Sequence, residues 1–183
     1  MATPTSSLEF ALLGLLKQNP CSGYDLRKLF STTPMRHFSD SPGSIYPALR
    51  RLQNRKWITI AAQEGKGRKR QVFRASPEGR HALVHWLSRP VTRDDVVWGL
   101  EEIKLRFAFM DGNVARKRIC EFLSELENEL KSYVCELEEY ASASGLLKTV
   151  TTGGMAFENG LDGYRAHLSW ARRARNKLSE VSS

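Results

Sequence analysis

Cysteine is scarce: three occur in 183 residues, at Cys21, Cys120 and Cys135. An odd number at such wide spacing makes neither a disulfide framework nor a metal knuckle, so the thiols read as buried or half-buried side chains. No apolar run approaches the ~18 residues that suggest a membrane span. Met1–Ser7 is polar and no basic region precedes the apolar LLGLL stretch, so no signal peptide is read there and a cytoplasmic location is expected. Enzyme signatures are also missing: there is no glycine-rich loop followed by Lys and Ser or Thr, no nucleophile elbow and no paired-cysteine motif. An enzyme would have to assemble itself from scattered Ser, His and Asp, so the chain is read as a non-enzyme. His81 and His85 stand four apart, one turn beyond Glu78, but no Cys or Asp close in sequence completes a ligand set. They read as solvated or core-edge side chains, and no metal or cofactor is expected.

Acidic residues are few in the first half. Residues 1–90 hold 15 Lys and Arg against 5 Asp and Glu, a net of +10, whereas residues 91–183 hold 13 against 15, a net of −2. Such asymmetry predicts a polyanion-binding module over 1–89 and a module with another task over 90–183, and it excludes a uniformly basic surface.

The acid-free stretch Ser41–Lys56, SPGSIYPALRRLQNRK, concentrates the first task. Ile45, Ala48, Leu49 and Leu52 recur at helical spacing and define a stripe that faces a core. The opposite side carries Gly43, Pro47, Arg50 and Asn54, flanked by Tyr46 and Arg51. Guanidiniums read guanine edges, side-chain amides read adenine, and both grip phosphate, so the face suits a DNA major groove. Trp57–Ile60 and Gln71–Arg74 then read as the strands of a hairpin turned at Gly65 and Gly67. Its tip clusters Lys66, Arg68, Lys69 and Arg70, which predicts phosphate contacts. Helix followed by basic hairpin is the pattern of a winged helix-turn-helix.

The segments SGYDLRKLF at 22–30, GSIYPALRRLQNRKWI at 43–58 and RQVFRASPEGRHAL at 70–83 resemble, in this order and spacing, the PadR family of bacterial transcriptional regulators. The resemblance is strong through about residue 90 and looser beyond. Relatives usually place Gly where Lys56 stands, just past the recognition helix, and a Lys forced into a left-handed cap there costs roughly 1 kcal/mol. The resemblance implies a homodimer on double-stranded DNA, with a palindromic operator. It also implies that some relatives are released from DNA by small aromatic compounds, including phenolic acids, and others by larger hydrophobic drugs.

Along the chain, Ser6-Ser7-Leu8-Glu9 supplies a capping box for a first helix with Leu8, Leu12, Leu15 and Leu16 as its apolar face. Ser22 and Asp25 repeat the device for a second helix, whose Leu26, Leu29 and Phe30 point inward. Tyr24 and Arg27, near its start, are candidate phosphate contacts, with packing of Tyr24 on the core as the alternative. The third helix begins either at Pro42 or after Ser44; in the first case Pro47 deletes the backbone bond to Gly43. Ser44 completes the set of candidate DNA contacts. Ser76-Pro77-Glu78 caps a fourth helix carrying Leu83, Trp86 and Leu87.

From residue 91 a largely buried helix runs from Arg93 through Phe107 until Asp111-Gly112-Asn113 breaks it. Ile119, Leu123, Leu126, Leu130, Tyr133, Leu137 and Tyr140 then step by four and three, a coiled-coil seam on a helix over about 114–141. Phe157, Leu161, Tyr164, Leu168, Ala171 and Leu178 repeat the spacing, with Arg175 as the polar step. Two antiparallel seams leave a third side open, which a partner subunit would close, so Ile119, Leu123, Leu126, Leu130, Tyr133, Leu137, Leu161 and Leu168 are the expected dimerisation residues. The alternative is a monomeric bundle with the preceding helix over that side. Trp98, Phe107, Tyr164 and Trp170 are candidates to line an effector pocket, although plain core is the commoner reading of each.

The expected fold is mainly α: an N-terminal winged helix-turn-helix with a two-stranded wing, then a C-terminal helical dimerisation domain. The expected function is a sequence-specific transcriptional regulator, a repressor relieved by a small aromatic or hydrophobic ligand. Two other classes fit parts of the pattern: a non-specific architectural nucleic-acid binder, against which the long C-terminal helices count, and a protein-interaction adaptor on a winged-helix scaffold, against which the basic wing counts.

Overall fold

A computed structural model describes residues 5–32, 42–64, 70–148 and 150–180. The chain divides into two units, Met1–Leu87 and Ser88–Ser183. In the first, helix α1 (Ser7–Gln18) starts at a complete capping box: the Glu9 amide donates to Ser6 Oγ (3.3 Å) and the Ser6 amide to Glu9 Oε2 (3.1 Å). Leu12 and Leu16 are buried as the leucine spacing requires. Phe10, Ala11 and Leu13 are buried too, because α1 packs against helices and sheet together.

Strand β1 (Cys21–Ser22) follows, then α2 (Gly23–Thr32), whose Ser22–Asp25 box closes with the Asp25 amide on Ser22 Oγ and the Ser22 amide on Asp25 Oδ2, both at 3.2 Å. Helix α3 spans Pro42–Asn54, so it begins at the earlier of the two candidate positions and keeps Pro47 inside. Strands β2 (Ile58–Glu64) and β3 (Arg70–Ala75) pair antiparallel, with a register irregularity between Ile60 and Ala62. Helix α4 spans Pro77–Leu87. The wing is the two-stranded hairpin expected, and its sheet gains a third strand: β1 pairs with β3 through Cys21↔Phe73 and Ser22↔Val72, giving the order β1-β3-β2. Two residues are too few to show the alternation by which a strand is recognised in sequence.

The exit from α3 is built from backbone groups. Lys56 sits at φ 60°, its amide on the Gln53 carbonyl (2.8 Å) while the Trp57 amide reaches Leu52 (2.9 Å). This is a Schellman cap with lysine in the left-handed position that glycine usually takes. Ser76 fastens the same turn, its hydroxyl donating to the Lys56 carbonyl (2.7 Å) and its amide to that of Trp57 (2.9 Å). A Cβ on Gly79 would lie 2.0 Å from the Trp57 carbonyl oxygen, so only glycine permits this approach.

In the second unit the helix expected to run from Arg93 through Phe107 is two: α5 (Arg93–Trp98) and α6 (Leu100–Met110). Gly99 ends the first, its amide on the Asp95 carbonyl at 3.0 Å, and its own carbonyl accepts the Ile103 amide that starts the second. α5 opens with a Thr92–Asp95 capping box. The entry segment is held by charges. Arg106, wholly buried, donates to the Arg89 carbonyl, which also accepts from Arg118 (3.1 Å), while the Val91 amide donates to Glu125 (2.9 Å). Burial pushes the Arg106 pKa down to about 10, which leaves it charged at neutral pH, and its guanidinium lies 5.0 Å from the Phe122 ring centroid.

Helices α7 (Arg116–Ser144) and α8 (Thr152–Glu180) form an antiparallel hairpin. Tyr133 meets Tyr164 edge-on at 4.8 Å, Arg165 pairs with Glu138 at 2.6 Å, and Glu127 holds both Arg172 (3.0 Å) and Arg175 (2.8 Å). Arg175, the polar step in the second seam, is thus answered by a carboxylate from the first. The α7 seam is filled from within the chain. Ile119, Leu123, Leu126, Leu130, Leu161 and Leu168 are all buried, and Tyr133 and Leu137 half-buried, so the expected dimerisation residues are core of one protomer. The third side is met by α6, whose Phe107 ring lies 5.2 Å from Trp170 and 6.3 Å from Phe122. Of the thiols, Cys21 and Cys120 are half-buried, whereas Cys135 is exposed on α7.

Candidate nucleic-acid interface

Helix α3 separates its two faces cleanly. Ile45, Ala48, Leu49 and Leu52 are at most 2% exposed. On the other side Gly43, Tyr46, Pro47, Arg50 and Asn54 are exposed, with Ser44 half-buried at the edge. Arg50 has no hydrogen bond or ion pair among the described residues, leaving all five donors of its guanidinium for an external acceptor. Pro47 lies inside α3 and supplies no amide to its hydrogen-bond ladder.

Tyr46 is set by its neighbour on α2. A Cβ on Gly23 would come within 2.6 Å of the Tyr46 ring, so glycine lets the ring pack close while the side chain stays about half exposed. On α2, Tyr24 is 46% exposed with the Arg27 guanidinium 5.7 Å from its ring centroid, which removes the alternative that Tyr24 packs in the core. Both of these α2 side chains face solvent.

Arg51 has a partner inside the chain. Its guanidinium bonds Glu9, a carboxylate only 1% exposed on α1, and Arg55 joins the same group at 3.1 Å. Arg51 therefore ties the candidate reading helix to α1, with 42% of its side chain still exposed. Glu9 itself is a residue that sequence reasoning assigned only to a cap; the signal it offered was a lone acid between Leu8 and Phe10 in an otherwise apolar window. Arg74, on β3 beside Thr59 of β2, is a further exposed cation without a partner among the described residues. Lys66, Arg68 and Lys69 lie outside the described residues, as does the side chain of Arg70, the first residue of β3. His81 and His85 are both exposed on α4, and no group of three or more His, Cys, Asp and Glu suited to a metal occurs among the described residues.

The second unit contains a cavity of about 290 Å³. Leu100, Ile103 and Phe107 of α6, Leu126 and Leu130 of α7 and Trp170 of α8 form its largely apolar wall, which Lys104 and His167 complete with ionisable side chains. Of the four expected lining residues it gathers Phe107 and Trp170. Trp98 stands outside, 85% exposed at the end of α5, because the break at Gly99 turns it away from the line of α6. Tyr164 is spent on its ring contact with Tyr133.

No helix among the described residues is long and apolar enough to cross a membrane. Residues 12–85 match the model of the transcriptional regulator PadR-like family. Among curated proteins, the negative transcriptional regulator PadR of Bacillus subtilis is 30% identical over 83 residues, 45% of this chain and 46% of that protein. A probable transcriptional regulator of Mycobacterium tuberculosis is 30% identical over 88 residues, 47% of this chain and 46% of that one. The matched region thus spans under half the length of each of these relatives. Among solved structures, Bacillus subtilis PadR in complex with operator DNA aligns over 94% of this chain and 99% of that one, at a TM-score of 0.46 and 20% identity. A PadR-like transcriptional regulator from Bacillus cereus aligns over 97% and 99%, at 0.42 and 21%.

Proposed function

We propose that the chain, which matches the PadR-like family of transcriptional regulators through residues 12–85, is a regulator of that family and binds a specific DNA operator as a homodimeric repressor, released by a small aromatic or hydrophobic ligand. The observation that carries this reading is the exposed face of α3: Tyr46, Pro47, Arg50 and Asn54 stand opposite a fully buried stripe, and Arg50 is unpaired among the described residues. A helix so presented enters a major groove with its side chains on base edges, while Tyr24 and Arg27 of the preceding helix meet phosphate. Lys66, Arg68, Lys69 and Arg70 add phosphate contacts from the wing, which raise affinity without sequence preference.

A palindromic operator calls for two copies of the helix related by a two-fold axis. Since the α7 seam is core, the surface for the second copy is sought among the exposed large apolar groups of the helical unit, of which Trp98, Tyr140, Val150 and Met155 are the most exposed. The ligand is assigned to the helical unit because it holds the apolar cavity where Phe107 and Trp170 meet edge-on.

Selection from a random duplex pool tests the reading. A single enriched palindrome bound at least a thousandfold more tightly than random duplex is expected. A preference of only a few-fold marks an architectural binder, and no duplex binding at low salt leaves the adaptor.

A further inference from the structure

The chemistry of the cavity between α6, α7 and α8 is one-sided. Its wall is aliphatic and aromatic, and the polar atoms of the side chains that line it are nitrogens alone: the Lys104 ammonium, the His167 imidazole and the Trp170 indole. No side-chain carboxylate, amide or hydroxyl is among them. Ammonium and indole only donate hydrogen bonds, and a neutral imidazole offers one donor and one acceptor nitrogen. His167 is held neutral, since burial, and then the charge of Lys104, push its pKa below the ordinary 6.5, with Glu101 acting the other way. Lys104 is half exposed and already bonds Glu101 at 2.6 Å, so a carboxylate stands at the rim where a ligand's own carboxylate would go.

Size narrows the occupant. A dry cavity of about 150 Å³ takes one benzene, so about 290 Å³ takes roughly two fused rings. The two ends then differ. At the rim, Lys104 and His167 can each give a hydrogen bond to an anion. Deeper, against Ile103, Leu126 and Leu130, a hydroxyl on the far ring meets no acceptor and loses its water without replacement.

We propose that this cavity is a binding site for an apolar bicyclic carboxylate without ring hydroxyls, its carboxylate displacing Glu101 at Lys104 and accepting from His167. Its role as the effector site rests on the regulator reading above; its preference among ligands does not. Discrimination against hydroxylated rings follows from the missing acceptor, and preference for the acid over its amide follows from the ammonium.

Calorimetry on the full chain with 2-naphthoate, 6-hydroxy-2-naphthoate and 2-naphthamide tests it. 2-Naphthoate is expected to bind once per chain, with the hydroxylated acid and the amide each about tenfold weaker. Lys104→Met, which keeps the apolar stem, should erase the preference for acid over amide, and Lys104→Gln should do the same if the methionine variant fails to fold. Glu101→Gln should tighten 2-naphthoate several-fold and leave the amide unchanged, because it removes the competing carboxylate. Absence of 2-naphthoate binding at millimolar concentration, equal or tighter binding of the hydroxylated acid, or a preference that survives loss of Lys104 overturns the assignment. If the pocket fails while the chain still binds its selected duplex, the regulator reading stands alone. If 2-naphthoate behaves as expected but no duplex is bound, the pocket stands and the regulator reading falls.

Discussion

Arg55, the first residue past α3, donates to Glu9 of α1 at 3.1 Å, and the carboxylate it meets is only 1% exposed. Arg51 shares that group, and the Ser6 amide takes Oε2 as well, so one buried acid closes a cap and fastens the reading helix. Its two arginines remain 42% and 21% exposed, which screens part of the attraction and lets either cation return to water. Glu9→Gln removes the charge and keeps the shape, and is expected to cost roughly 2 kcal/mol of stability by urea denaturation. A loss under about 0.5 kcal/mol would show that the pair orders nothing.

Lys56 gives the opposite sign. It occupies φ 60° at the end of α3 with both Schellman bonds made, so the backbone there is right for glycine and strained for lysine. Lys56→Gly should raise stability by about 1 kcal/mol, because relief of the Cβ contact exceeds the added freedom of the unfolded chain. Thermal unfolding of the single variant reads this directly, and a lowered midpoint would mean that the lysine side chain makes a compensating contact.

What was legible in the sequence is what neighbouring residues decide. The caps at Ser6, Ser22 and Ser76 and the left-handed turn at Lys56 each involve residues within about four positions, and all four are present. The split faces of α3 follow from period alone. Contacts distant in sequence were not legible. Pairing of Cys21 with Phe73 makes a strand of two residues that have no strand pattern of their own. Whether a seam is covered by its own chain or by another depends on where Phe107 falls after the break at Gly99, which spacing does not tell. Arg51 had the composition of a DNA contact, and its bond to an acid 42 residues away in sequence was not visible in spacing.

The covered seam changes the expected result of a standard interface test. Leu126 and Leu130 are 1% and 0% exposed inside one protomer, so replacing both by Asp buries charge in the chain's own core, at a cost of several kcal/mol. The double variant should lose the cooperative unfolding of the helical unit. Recovery of a folded, helical monomer by circular dichroism and light scattering would return the seam to an intermolecular role.

Acid should loosen the entry to the helical unit. Hydrogen bonding from Arg118, first, and then the Val91 amide hold the Glu125 carboxyl below its ordinary 4.5, against the opposing effect of burial. A depressed carboxyl stabilises the fold fully above its unfolded pKa, and that contribution is lost as pH falls through the folded value. The effect is therefore constant from neutral pH down to about 4.5 and disappears below it. In Glu125→Gln the drop in melting temperature between pH 7 and pH 3 should be smaller than in the parent chain, and an unchanged drop would remove Glu125 from the acid response.

Arg50 and Arg51 are adjacent in sequence and are expected to fail in different assays. Arg50 is exposed and unpaired among the described residues, so Arg50→Ala should leave the urea midpoint unchanged. If its guanidinium reads a guanine, the same change costs about 1–3 kcal/mol on the selected operator and little on random duplex. Arg51→Ala breaks the bond to buried Glu9 and should appear first as lost stability, with operator binding weakened only as far as α3 loosens. Equilibrium binding and urea denaturation of the two variants side by side separate these roles. A uniform loss for Arg50→Ala on every duplex would make Arg50 a phosphate contact and move the reading to Ser44, Tyr46 or Asn54. The reverse pattern, stability lost with Arg50 and base preference lost with Arg51, would mean that the Glu9 pair opens when α3 meets DNA.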